Sequence, residues 1–165
     1  MNVNPRTIGR ALALILVLAC IGCAGAQGPK SPAGAKPATP LEVLRSRESR
    51  VQWDPASAIE ADLDQDGQKD AALLGFRKDG AVVGIVQGPP GARSRTWILE
   101  FGWKDGGQHD LCSKEVGIAL ERLEELESPE EISVQGMGIN LHDDRCDAFH
   151  IYWDSKKQRF EWWRL

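Results

Sequence analysis

The sequence predicts a mostly β fold, a small antiparallel sheet or β-sandwich with an aspartate-rich loop between strands. Three observations lead there. Apolar segments such as "AALLGF", "AVVGIVQ" and "RTWILEFGW" are short, rich in β-branched or aromatic residues, and bounded by turn formers. The C-terminal "CDAFHIYWDSKKQRFEWWRL" repeats the pattern as two aromatic segments around a polar turn. Ahead of them, "EADLDQDGQKDAALLGF" places Asp62, Asp64, Asp66 and Asp70 directly before the first of these strands.

The first 26 residues read as an export signal. Arg6 and Arg10 form a positive n-region, and "ALALILVLACIG" is an apolar stretch too short to span a bilayer. Two cleavage readings stand. "LVLAC" ending at Cys20 resembles a bacterial lipobox whose cysteine would carry lipid, and "AGA" at 24–26 is an A-x-A site. The lipobox is preferred, because a cysteine directly behind an h-region is otherwise an odd choice in an exported chain. Residues 27–40, "QGPKSPAGAKPATP", lack large apolar side chains and form a semi-extended tether.

The folded domain is expected over 41–165, long enough to bury about two thirds of its unfolded surface. Without Arg6 and Arg10 the chain keeps 18 basic against 24 acidic residues, a net charge of −6. Such a balance argues against nucleic acid as a partner. The expected contact with membrane is the lipid anchor alone, and the expected location is the periplasm or an outer-membrane anchor, or otherwise the medium.

The spacing D-x-D-x-D-G-x-x-D over 62–70 is a chemical constraint. Carboxylates this close repel unless they face water or share a cation. Alternate residues of a tight loop can aim side-chain oxygens at one centre, with Gly67 permitting the bend. Asp62, Asp64, Asp66 and Asp70 would supply carboxylates and Gln68 a backbone carbonyl. An all-oxygen set favours a hard cation, calcium above all in an exported protein. The competing reading is a metal-free Asx turn made soluble by Gln65 and Gln68.

The loop departs from an EF-hand, whose twelfth position is a bidentate Glu and here is Leu73. With a strand on either side, Asp62, Asp64, Asp66 and Asp70 around Gly67 resemble the calcium loops of FG-GAP and VCBS-type repeats. The resemblance covers residues 57–87 in a single copy, which implies a calcium site and no propeller ring. The following strands, Ala71 to Phe76 and Ala81 to Gln87, are expected to pair around an Asp79-Gly80 turn.

In the next strand Trp97, Leu99 and Phe101 share a core-facing side. "EVGIALERLEELESPEE" fits both periods; a strand through Leu120 followed by a turn of helix is preferred because Pro129 and the acidic run stop anything longer. In the closing pair, Phe149, Ile151 and Trp153 meet Phe160 and Trp162 on one face. Tyr152 and Trp163, with Ala148 and His150, lie on the other and are candidates for an exposed binding platform. This ending resembles the closing hairpin of small exported bacterial proteins that also carry an aspartate-rich loop near their start.

Cys112 and Cys146 remain once the signal is removed, and export into an oxidising compartment pairs them as a disulfide. No C-x-x-C supports zinc, and His109, His142 and His150 lack metal-ligand spacing and read as solvated loop residues. No nucleophile elbow, phosphate loop or dinucleotide fingerprint is present. The expectation is a non-enzymatic, calcium-binding envelope module that binds protein or glycan. The alternative is an envelope hydrolase or hydrolase inhibitor whose active residues the sequence does not identify.

Overall fold

The computed structural model describes residues 38–103, 108–127, 129, 132 and 134–164. The export segment, Cys20 and the tether up to residue 37 lie outside them. The mostly β architecture expected from the sequence is found, as two antiparallel sheets.

A helix that the sequence reading did not anticipate comes first. Helix α1, Pro40–Arg47, starts in a capping box: the Thr39 hydroxyl accepts the Glu42 amide at 3.2 Å, and the Glu42 carboxylate accepts the Thr39 amide at 2.7 Å. Pro40 stands at the first turn, where its missing N–H costs nothing. Glu42 near the start and Arg45 and Arg47 near the end complement the helix dipole.

The first sheet contains β1 (Gln52–Trp53), β2 (Ile59–Ala61), β3 (Asp70–Arg77), β4 (Gly80–Val86) and β5 (Thr96–Gly102). β4 pairs with β3 and β5, while β1 and β2 both pair with the remaining edge of β3. β3 and β4 read as apolar runs because both their faces are covered. Leu74, Val83, Ile85 and Phe101 turn to one side, and Leu73, Val82 and Val86 turn to the other, under Val43 and Leu44 of α1. On the helix side Gly75 and Gly84 leave a slot for the Trp53 indole; a Cβ at Gly75 would sit 2.7 Å from that ring.

The β3–β4 turn falls one residue earlier than expected. Arg77 pairs with Gly80, so Lys78 and Asp79 form the turn and Gly80 begins the strand. Gly80 is needed for a different reason: the Phe101 carbonyl of β5 occupies the space a Cβ would take.

The second sheet runs in order β6 (Gly117–Arg122), β7 (Met137–His142), β8 (Phe149–Asp154), β9 (Arg159–Trp163). The preferred strand reading of 114–127 holds, with β6 reaching Arg122 before a short 3₁₀ turn at Leu123–Glu125. The β8–β9 hairpin has the expected register, Trp153 opposite Phe160 and Ile151 opposite Trp162. Ile139, Leu141, Phe149, Ile151 and Phe160 bury against the first sheet, with the Phe101 and Phe149 rings 4.7 Å apart. Each such side chain contributes roughly 1.5–3 kcal/mol of burial.

The disulfide forms as expected, between Cys112 and Cys146 with Cα atoms 6.0 Å apart. Buried Asp143 binds both halves: one oxygen accepts the Cys112 and Ser113 amides, the other the Arg145 and Cys146 amides at 3.0 Å each. Burial alone would raise its carboxyl, but the four backbone donors outweigh it and hold the pKa below the usual range.

Tyr152 and Trp163 do not form an exposed platform. They are 8 % and 4 % exposed, in a cluster with Leu123 against which Leu126, Ile132 and Val134 pack. The chain after β6 supplies apolar side chains to cover them, which the strand alternation by itself could not reveal. The histidines also depart from the solvated-loop reading. His150 lies in β8, buried, with Nδ1 3.0 Å from both Glu121 carboxylate oxygens, stacked on Trp163 at 5.1 Å. His142 lies half-buried in β7, its Nδ1 3.1 Å from the Asn140 Oδ1. Exposed His109 packs edge-on against Trp162.

Candidate metal centre

Residues 62–69 connect β2 to β3, and the Ala61–Asp70 pairing closes the loop at its base. The chain must reverse within these residues, and it does so through left-handed backbone at Gln65 (φ 62°) and Gly67 (φ 86°). Only glycine takes the second without strain. The Gly67 amide, exposed by that turn, donates to the Asp62 Oδ2 at 3.1 Å.

Asp70 is the buried centre of the loop, 1 % exposed. Its Oδ2 accepts the amides of Leu63 (3.0 Å) and Asp64 (3.2 Å), and its Oδ1 accepts the Gly88 amide at 2.9 Å. Asp64 accepts the Asp66 amide at 3.1 Å through Oδ1 and the Gln87 side-chain amide through Oδ2. Asp62 spends Oδ2 on Gly67, while its Oδ1 is buried with no hydrogen-bond partner among the described residues. An orphaned buried carboxylate oxygen is costly, and a bound cation can supply a partner.

One ligand atom from each of Asp62, Asp64 and Asp70 lies within 4.8 Å of the others, so the triad can hold a metal ion. Asp66, placed in the same site by the sequence spacing, does not join this group of carboxylates. Asp66 is exposed and accepts the Gln68 backbone amide at 2.8 Å and its side-chain amide at 3.2 Å. Their pairing is an Asx turn on the solvent side of the loop.

The electrostatics match a site short of positive charge. Burial pushes the Asp64 carboxyl above the usual carboxylate range, and the charges of Asp66 and Asp62 push it the same way. Burial also raises Asp70, with Asp64 adding to it, against the lowering effect of the three amides. Three oxygens from carboxylates, with no sulfur or imidazole, suit a hard divalent ion.

Gln87 is the site residue that the sequence reading missed. It follows β4, twenty-three positions from Asp64, and only the β3–β4 register brings its amide to the loop. No sequence signal marks it beyond a polar residue, 8 % exposed, closing an apolar strand.

Among the described residues no helix is long and apolar enough to cross a membrane. The disulfide points to an oxidising, non-cytoplasmic compartment. Comparison with known proteins supplies no relative: no family model, curated protein or solved structure matches the chain.

Proposed function

We propose that this protein is an exported, lipid-anchored β module of the cell envelope that binds calcium through Asp62, Asp64 and Asp70 and recognises a partner without catalysis. The single observation behind the calcium reading is the Asp62 Oδ1, buried and unpartnered beside two further carboxylates. A divalent ion there would satisfy that oxygen and offset the burial and the carboxylate repulsion that raise Asp64 and Asp70. The oxygen-only donor set and a compartment where calcium is abundant favour calcium over softer metals. Anchoring rests on the lipobox-like "LVLAC" ending at Cys20. The ion would fix the β2–β3 connection.

Calcium titration followed by thermal unfolding tests this. Free calcium at tenfold its dissociation constant should stabilise by about 1.4 kcal/mol, a shift of several degrees in Tm. The shift should vanish in EDTA and in Asp64→Ala. A folded wild-type protein whose Tm is the same in calcium and in EDTA would refute the reading.

A further inference from the structure

Beside the acidic loop lies an open cleft of about 800 Å³, within the size range of small-ligand sites. Asp64 and Asp66 line it from the loop. The connection between β4 and β5 brings Arg93 and Arg95 to the same cleft; Trp153 and Gln158 of the β8–β9 hairpin contribute from the second sheet. The lining therefore carries both signs of charge: two carboxylates, one of them in the candidate metal triad, and two arginines. Arg93 and Arg95 are exposed, and Arg95 stacks 5.3 Å above the Trp97 ring, a contact that orients its head without neutralising it.

We infer that this cleft binds a carboxylate-bearing saccharide, held between the cation at Asp64 and the Arg93/Arg95 pair. The inference rests on the calcium reading and extends it to a ligand class. A sugar carboxylate suits both groups, because calcium accepts further oxygen ligands and guanidinium binds carboxylate in a planar fork. The remaining lining favours a sugar over an acidic peptide. Gln65, Gln87 and Gln158 each donate a side-chain N–H within the protein, so their amide oxygens are the atoms suited to a ligand, and hydroxyl groups donate to them. Trp153 adds indole surface whose negative face attracts the polarised C–H groups of a sugar ring. Most of the lining comes from the β2–β3 and β4–β5 connections, the kind of segment where binding residues concentrate.

The test is isothermal titration of the full-length protein with cellobiouronate and its neutral twin cellobiose, in calcium and in EDTA, alongside triglutamate. Cellobiouronate should bind at least tenfold more tightly than cellobiose or triglutamate in calcium, and at least tenfold more weakly in EDTA. Arg93→Gln/Arg95→Gln should weaken it at least tenfold while leaving the calcium-induced Tm shift intact, which separates lost ligand contacts from lost metal. Equal binding of cellobiose or triglutamate, an unaffected double variant, or no binding despite an intact calcium shift would overturn the inference. An absent calcium shift would remove the metal reading, and this inference with it.

Discussion

Asp70 accepts the backbone N–H of Gly88 at 2.9 Å, and this bond fastens the acidic loop to the connection that walls the cleft. The same carboxylate accepts the Leu63 and Asp64 amides, so one buried side chain sets the shape of both segments. Replacing Asp70 by Ala strands three backbone donors, that of Leu63 fully buried, and should cost about 3 kcal/mol or more, measured by urea denaturation in EDTA to exclude metal effects. Asp70→Asn keeps one acceptor oxygen and removes the repulsion from Asp64, so its loss should be smaller than that of Ala.

Protons and calcium should compete at this site. Because burial raises the Asp64 and Asp70 carboxyls in the ion-free fold, protons occupy them at pH values above the ordinary Asp pKa of about 3.9. Apparent calcium affinity should therefore weaken on acidification before exposed carboxylates titrate, as read by calcium titrations across pH 4–7. The ion-free protein should behave oppositely at these two groups: their unfavourable contribution fades as pH falls through the raised folded values.

Asp143 titrates in the other direction. Its carboxyl is lowered in the fold, so its stabilisation is present above the unfolded pKa and is lost as pH falls through the folded value. Denaturation midpoints should decline below about pH 4, and Asp143→Asn should be less stable at neutral pH with a flatter acid limb. A limb identical to wild type would show that the four amides find other acceptors.

Removing the crosslink should be costly. The bridge spans 34 positions, and closing a loop of that length stabilises by about 4 kcal/mol in the chain-entropy account. Cys112→Ala/Cys146→Ala should lower stability by that order in urea. A loss under about 1 kcal/mol would mean that Asp143 alone holds the two segments together.

The glycines separate backbone crowding from turn chemistry. Gly80→Ala meets the Phe101 carbonyl and should destabilise by about 1–3 kcal/mol, because β5 must move. Gly67→Ala has open space around it and should cost only the strain of its positive φ, about 1 kcal/mol. Circular dichroism melts of the two variants rank them directly.

Much of the fold was legible because its strands announce themselves. The register of Trp153 with Phe160 and the core side of Trp97, Leu99 and Phe101 follow from period-two alternation and hairpin length. What escaped was decided by layers above and below the sheets. Thr39-Pro40-Leu41-Glu42 is a capping signature, but its Pro-rich approach resembles a tether, and its helix is stable only because Val43 and Leu44 meet the outer face of the first sheet. Tyr152 and Trp163 looked outward from the strand pattern, and only the chain after β6 encloses them. At the acidic loop the spacing marked Asp62, Asp64 and Asp70, yet it also enrolled Asp66, whose carboxylate is turned to Gln68. Gln87, Arg93 and Arg95 reach the cleft from the β4–β5 connection and Trp153 from β8, and no local pattern links them to the acidic loop.

Trp53 sits alone among the tryptophans on the helix side, wedged over Gly75 and Gly84 with Leu44 beside it. Its indole is thus an optical gauge of whether α1 is docked. The difference in emission between wild type and Trp53→Phe would register the helix lifting off before either sheet opens, and would time that first step against the global transition.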